Sequence, residues 1–202
     1  MRTKDEARCA VADAIGSTWF GLDGVCARMG HPLAGYSRKL AVDLERLHEP
    51  GGPQVLDLTL PKSAQARPCI RTIGFYAIWR LFWTPDTQVR VLSSDLVSRN
   101  EIRDACWSAT RQRDLRLQAV STWPQSNVLR VADQRSWKLT FVPRNPRASA
   151  GYHAKHSIAV ILGAETDEPD FCRTREVIEA NQTGPDARTV RVWFTKADKS
   201  PF

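Results

Sequence analysis

The sequence IAVIL, at residues 158–162, is the stretch that decides the fold. Five consecutive apolar residues, three of them branched at Cβ, are typical of a strand that is buried on both faces, as in a parallel sheet. Parallel strands must be joined by crossover connections, which are usually helices. Residues 158–162 therefore predict an α/β protein with a mostly parallel sheet between layers of helices.

From residue 54 onward, apolar residues recur alternately with the period of a strand and the period of a helix. Asp95 lies between a predicted strand and a predicted helix, so it is expected to cap that helix. The predicted elements, in order, are a strand at 55–60, a helix at 75–83 ended by Pro85, a strand at 89–92, a helix after Asp95 with Ile102, Ala105, Cys106 and Ala109 on its apolar side, a hairpin of 128–131 and 137–142, the strand at 158–162, a helix at 175–180 and a strand at 190–194.

The first 53 residues predict a helical N-terminal segment, with helices at 4–15 and 36–47. The run EPGGP, residues 49–53, ends this segment, because two prolines and two glycines in five residues cannot continue a helix. The sequence therefore predicts two units, a helical segment at 1–53 and an α/β domain at 54–202.

The net charge of +7 is concentrated in the middle of the chain. Residues 54–150 hold 15 basic and 7 acidic side chains, whereas the segments on either side are nearly balanced. Most of these basic residues are arginines, whose planar fork suits phosphate and other planar acceptors. A nucleic acid or an acidic protein surface is therefore an expected partner, and a solvated basic surface is the alternative.

An arginine-rich stretch after Asp95 is the expected nucleic-acid interface. Its members are Arg99, Arg103, Arg111, Arg113 and Arg116. At helical spacing Arg99 and Arg103 share a face, as do Arg113 and Arg116, so a basic stripe along the helix is geometrically allowed. A helix made soluble by its charges would show the same pattern.

Cysteine usage and hydropathy indicate the compartment. The five cysteines are odd in number and none belongs to a C-x-x-C pair, which predicts reduced thiols in a cytoplasmic protein. The N-terminus has no apolar core of signal-peptide length. The longest apolar-rich run, 73–83, is interrupted by Arg80 and is too short to span a bilayer, so no membrane segment is expected.

Residues 64–72, AQARPCIRT, lie between the first predicted strand and the first predicted helix after it, where a phosphate-binding loop would be expected. In the pattern G-x-x-x-x-G-K-[ST], Arg71 and Thr72 occupy the Lys and Ser/Thr positions. The two glycine positions hold Gln65 and Ile70. Because the glycines allow the backbone to approach phosphates, we expect a degenerate nucleotide segment.

The order of these segments resembles the ATPase domain of phage terminase large subunits. The stretch 66–72, ARPCIRT, which includes Arg67, is similar to their Walker A loop, and the predicted helix and strand follow it as in the family. Residues 151–154, GYHA, are similar to the Gly-x-His segment before the family's Walker B strand. The resemblance covers residues 54–202 and implies a P-loop ATPase fold without the nuclease domain of a full terminase.

In that family, Asp and Glu follow the Walker B strand, where they support Mg²⁺ and polarise the attacking water. Here the two positions hold Gly163 and Ala164, and Glu165 comes one residue later. The resemblance therefore implies a domain with no catalytic residues, no metal site and no cofactor. Binding of ATP and Mg²⁺ is the alternative.

Three functions are compatible with these observations. We expect a non-catalytic, terminase-like phage protein, a pseudo-ATPase of the host cytoplasm that binds DNA or a packaging or host protein. One alternative is an active packaging ATPase with non-standard motifs that uses Arg71, Thr72 and Glu165. The other is a small interaction or inhibitor protein on a domesticated terminase fold. Nucleotide binding distinguishes the active ATPase from the other two.

Overall fold

A computed structural model describes Glu6 and residues 21–61, 66–112, 119–121, 127–131, 137–149 and 156–195. Within these residues the chain forms helices around a seven-stranded sheet. The elements, in order, are α1 (Gly21–Arg28), α2 (Tyr36–Arg46), β1 (Val55–Pro61), α3 (Ala66–Trp83), β2 (Thr87–Ser93), α4 (Leu96–Thr110), β3 (Ala119–Ser121), β4 (Val128–Val131), β5 (Lys138–Phe141), α5 (Pro146–Ser149), β6 (His156–Leu162), α6 (Pro169–Ala180) and β7 (Ala187–Thr195).

The sheet has the strand order β1-β7-β6-β2-β5-β4-β3. The first five strands of this order are parallel, and β4 and β3 extend the sheet with antiparallel pairing. β6 is the central strand of the parallel part, and six of its seven residues are buried. The predicted α/β class with a mostly parallel sheet is confirmed, and residues 158–162 are buried because β6 has parallel neighbours and helices on both faces.

Helices cover both faces of the sheet. Successive side chains along a strand point to opposite faces, so a strand of apolar residues only has two faces to bury. On one face, Val160 of β6 belongs to the main hydrophobic cluster, which includes residues from α1 to α4. On the other face, Ile161 belongs to a smaller cluster with Phe171 and Ile178 of α6. The predicted placement of helices on both faces is therefore confirmed.

The helix α3 is the centre of the larger layer, since 13 of its 18 residues are buried. It contacts α1, α2 and α4. Gly74 allows α4 to pack closely, because a Cβ added there would lie 2.8 Å from the Cβ of Ala105. The predicted helix at 75–83 is thus the second half of a longer helix, which ends two residues before Pro85 as expected.

Two elements extend beyond the sequence prediction. β3 is a short strand that the sequence does not predict. The helix predicted at 175–180 begins earlier, at Pro169. Proline suits the first position of a helix, because the N–H that it lacks would have no partner within the helix. The strands predicted at 55–60, 89–92, 128–131, 158–162 and 190–194 and the hairpin pairing of β4 with β5 are confirmed.

Two helices of the N-terminal segment lie in the same hydrophobic cluster as α3 and the sheet. α2 confirms the helix predicted at 36–47. The sequence does not predict α1, because its glycines suggest a loop, although Leu22, Val25 and Cys26 form a buried helical face. The helix predicted at 4–15 lies, apart from Glu6, outside the described residues.

Candidate nucleic-acid interface and nucleotide segment

The segment expected to form a degenerate phosphate loop is helical from Ala66 onward. The N–H groups of residues 70–72 are therefore used inside α3 and do not surround a phosphate. Pro68 fits this helix start, because the first four N–H groups of a helix have no intrahelical acceptor. The prediction of a loop is wrong for residues 66–72, and Arg67 is an exposed residue in the first turn of α3.

Arg71 and Thr72 each have protein partners. The Nε of Arg71 lies 3.2 Å from Oε1 of Glu101 on α4. Thr72 is fully buried, and its hydroxyl donates to the carbonyl oxygen of Pro68 at 2.9 Å. The same hydroxyl lies 3.1 Å from Nε2 of His31. These contacts fix the start of α3, and they leave the buried Thr72 hydroxyl no open side on which to hold a phosphate or a metal ion.

His31 joins the segment before α2 to this helix start. Its Nε2 lies 3.1 Å from the carbonyl oxygen of Pro68 as well as from the Thr72 hydroxyl. Burial lowers the pKa of His31, and the charge of Arg71 lowers it further, although the bond to Pro68 opposes the shift. His31 therefore packs against the first turns of α3.

The turn after β6 closes against β7. The backbone N–H groups of Gly163 and Ala164 both donate to the carbonyl oxygen of Val192 at 2.9 Å. Glu165 accepts a hydrogen bond from the backbone N–H of Phe194 at 2.9 Å, beyond the last paired residues of β6 and β7. The Glu165 carboxylate therefore extends the ladder by one bond, and its observed partner is the main chain of β7.

The two halves of the expected nucleotide site reach the same edge of the sheet. β1 and β6 are parallel and are separated only by β7, so their carboxyl ends lie side by side. The observed partners of the two side chains differ, because Arg71 pairs with Glu101 on α4 while Glu165 bonds to the backbone of β7. This arrangement does not fit a Mg²⁺-bound nucleotide.

Three arginines lie together near the carboxyl ends of β2 and β5. Arg99 and Arg103 are one turn apart on α4, and Arg144 follows β5. Burial lowers the pKa of Arg99, and the charges of Arg103 and Arg144 lower it further. The three guanidinium groups are therefore within electrostatic range of one another, and we refer to them as the arginine cluster.

Arg99 is held in place by neutral groups. Its Nη2 donates to Oδ1 of Asn127 at 2.8 Å, and its guanidinium lies 5.9 Å from the centre of the Phe141 ring. Asp95 sets the start of α4, since its side chain accepts the backbone N–H of Ser98 at 2.7 Å. The predicted cap is confirmed, and Arg99 lies in the first turn that this cap fixes.

The other two members of the arginine cluster have acidic neighbours. Arg144 donates to the carbonyl oxygen of Ser94 and to Oε2 of Glu168 at 2.6 Å. The Nε of Arg103 lies 3.9 Å from Oδ1 of Asp104, and both side chains are at least 40% exposed. Exposed ion pairs contribute only about 0–1 kcal/mol, so a phosphate could compete with these carboxylates.

The predicted basic stripe does not continue along α4. Arg111 lies about 18 Å from Arg99 along the helix axis and about 120° around it, at a helical rise of 1.5 Å and 3.6 residues per turn. Its guanidinium lies 5.3 Å from the centre of the Trp107 ring. Arg111 therefore lies on a different face from Arg99 and Arg103, and Arg113 and Arg116 lie outside the described residues, so their predicted part in binding stays a prediction.

Arg144 is the member of the arginine cluster that the sequence does not predict. A signal for it exists in the run PRNPR at 143–147, which follows the second strand of the predicted hairpin. The hairpin alone does not show that β5 also pairs in parallel with β2. That pairing places the end of β5 next to Ser94 and the start of α4.

Comparisons with protein-family models, with curated proteins and with solved structures give no significant match to this chain. The terminase resemblance therefore stays a prediction. Among the residues that the structure describes, no cluster of His, Cys, Asp and Glu is arranged to hold a metal ion. In the same residues, no helix is both long and apolar enough to cross a membrane.

Proposed function

We propose that this protein is a non-catalytic, terminase-ATPase-like α/β protein that binds nucleic acid through the arginine cluster. The observation that carries the proposal is that Arg144, after β5, bonds to the carbonyl oxygen of Ser94 just before α4, the helix that carries Arg99 and Arg103. Guanidinium groups bind phosphates with paired hydrogen bonds, and such contacts supply most sequence-independent affinity for DNA. The excess of basic residues in 54–150 supports the same partner.

The non-catalytic part of the proposal rests on the geometry of the nucleotide segment. Thr72 is buried with its hydroxyl on Pro68, and the helical start of α3 replaces an open phosphate loop. Glu165 is bonded to the backbone of Phe194. Phosphoryl transfer depends on positioning of phosphate and metal, and these contacts favour neither.

Binding to a fluorescent DNA duplex at several salt concentrations tests the nucleic-acid interface. The double variant Arg99→Gln/Arg103→Gln is expected to bind about tenfold more weakly, and the slope of log affinity against log salt should fall by about 2, since each phosphate contact contributes about 0.9. The control is Arg38→Gln/Lys39→Gln, which removes the same charge from exposed positions on α2. Equal losses in the two variants, or binding without salt dependence, would contradict the proposal.

Titration with ATP and Mg²⁺ tests the non-catalytic part separately. We expect no saturable binding and no hydrolysis, because Thr72 is buried on Pro68 and residues 66–72 are helical. Affinity in the micromolar range that Arg71→Met abolishes would instead support an active packaging ATPase. The DNA titration and the nucleotide titration thus test the two parts of the proposal independently.

An interaction or inhibitor protein is the second candidate, and one observation favours it. Leu96 and Val97, in the first turn of α4, are 67% and 61% exposed beside the arginine cluster. The buried core of a protein interface is more apolar than the rest of the surface, and arginine is enriched in interfaces. The double variant Leu96→Ser/Val97→Ser should leave DNA affinity within about twofold if only phosphate contacts matter. A large loss would favour an interface that also uses apolar contacts.

A further inference from the structure

A cavity of about 140 Å³ lies at the amino-terminal ends of the parallel strands, whereas the arginine cluster lies near their carboxyl ends. It is formed where the strands β2, β6 and β7 begin and where α3 ends. The lining residues that matter here are His48, Arg80, Thr87, His156, Asp186 and Arg188. Nothing in the nucleic-acid interface or in the nucleotide segment uses this cavity.

Arg80 is a cavity residue with an unsatisfied donor. The Nε of Arg80 is buried, and no described residue accepts a hydrogen bond from it. The guanidinium lies 5.2 Å from the centre of the Trp79 ring. Burial lowers the pKa of Arg80 more strongly than the nearby Asp186 raises it. A buried donor without an acceptor is costly, and such groups in native proteins often mark a bound water or ion.

Arg188 is the second cation of the cavity, and the backbone holds it rigidly. Its Nε donates to the carbonyl oxygen of Leu47, and its Nη1 donates to the carbonyl oxygens of Pro185 and Ala187 at 2.7 and 2.9 Å. All three acceptors are neutral. The positive charge of Arg188 is therefore fixed at the cavity without a carboxylate bonded to it among the described residues.

The other charges of the cavity do not cancel the two arginines. Asp186 is the carboxylate that lines it, and its Oδ2 lies 3.4 Å from Nδ1 of His156. His48 is neutral at physiological pH, because burial, Arg80 and Arg188 lower its pKa to about 3. Arg80 and Arg188 therefore line the cavity with one carboxylate, which is half exposed and already has a histidine neighbour.

We propose that this cavity binds a small oxyanion of the phosphate class, with Arg80 and Arg188 as its cationic ligands. A water needs about 10–15 Å³ on the same measure of volume, so the cavity has room for one phosphate group together with bound water. Free inorganic phosphate and the phosphate of a phosphomonoester share this chemistry. The site is independent of the nucleic-acid interface, because the two lie at opposite ends of the parallel strands.

Titration of the full chain with inorganic phosphate at constant ionic strength tests the proposal, with calorimetry and thermal unfolding as readouts. We expect saturable binding that Arg80→Met weakens about tenfold or more, as expected for a lost charge-assisted pair. The control variant is Arg46→Met, which removes the same charge from a side chain that is 63% exposed. The control should bind within about twofold of the unchanged chain.

A second measurement separates ligand loss from unfolding. In phosphate-free buffer Arg80→Met should be as stable as the unchanged chain or more stable, because it removes a buried Nε donor that has no acceptor. Phosphate should then raise the melting temperature of the unchanged chain and of Arg46→Met but not that of Arg80→Met. Equal responses of all three proteins, or a response that does not saturate, would overturn the proposal.

The source of the phosphate group is distinguished with two further titrants. Adenosine monophosphate that binds with the affinity of inorganic phosphate would support a site open to phosphomonoesters. Binding of inorganic phosphate alone would support a site for the free ion. Acetate that binds as well as phosphate would contradict the phosphate class, because acetate carries a single charge and two oxygens whereas phosphate carries more charge and four oxygens.

Discussion

At the scale of single residues, the backbone conformation and a neighbouring side chain together require glycine at position 163. It has a φ of +77°, and an added Cβ would overlap the hydroxyl of Ser94. The turn that it forms places two N–H groups on Val192 and carries the chain from β6 toward α6. Where the terminase resemblance expects an acidic residue, the fold instead requires the absence of a side chain.

Replacement of Gly163 by alanine should therefore cost more stability than the same change at a glycine with free space. Gly30 is the matched control, since its φ is +64° and no atom lies within 4 Å of an added Cβ. The left-handed conformation costs a non-glycine residue about 1–2 kcal/mol, so we expect about that loss for Gly30→Ala. Gly163→Ala should lose about 3 kcal/mol or more by urea denaturation. Equal losses would show that the contact with Ser94 relaxes freely.

The buried His48 predicts a pH dependence of stability. Its Nε2 lies 2.8 Å from the Tyr76 hydroxyl, and its pKa is lowered to about 3, below the value of about 6.5 expected in the unfolded chain. Between these values the unfolded chain binds a proton that the folded chain does not, so stability falls as pH falls through this window. From pH 7 to pH 5 the linked loss is about 2 kcal/mol.

The variant His48→Gln isolates this effect, because glutamine can still bond to Tyr76 and does not titrate. Urea denaturation of both proteins at pH 7 and pH 5 gives the comparison. The unchanged chain should lose about 2 kcal/mol more than the variant over this interval. Identical pH slopes would mean that His48 is protonated in the folded chain as easily as in the unfolded one.

At the scale of elements, the sequence predicts what depends on local pattern and fails where distant contacts decide. The strand at 158–162 and the cap at Asp95 follow from apolar runs and from side-chain hydrogen bonding, so both are correct. The loop predicted at 66–72 is wrong, because these residues suit a helix although they partly match a phosphate-loop motif. Pro68 is acceptable in a first turn, and Ile70 is buried on α3, which a loop position would not require.

The candidate site is predictable only in part for the same reason. Arg99 and Arg103 are adjacent by helical spacing alone, so their pairing can be predicted. Arg144 joins them only because β5 pairs with β2, a contact between residues about fifty positions apart. The cavity at the other end of the strands combines Arg80 from α3 with Arg188 from β7, and no local pattern links these residues.

At the scale of the whole molecule, the described N-terminal helices and the sheet share one hydrophobic cluster, although the sequence predicts a boundary at residue 53. Leu40, Leu44 and Leu47 belong to the cluster that also holds α3 and the strands. The Nε of Arg188, on β7, also donates to the carbonyl oxygen of Leu47. These contacts favour unfolding of the described N-terminal helices and the sheet in one step.

A matched pair of substitutions on α2 tests this cooperativity. Leu44 is fully buried, whereas Val42 on the same helix is 43% exposed. Leu44→Ala should lower the free energy of unfolding by about 2–4 kcal/mol, because it leaves a cavity between α2 and α3, while Val42→Ala should change it by less than about 0.5 kcal/mol. In urea, far-ultraviolet circular dichroism and tryptophan fluorescence should report the same midpoint for Leu44→Ala. Separate midpoints, with a transition of the helices before that of the sheet, would show that residues 1–53 are an independent unit.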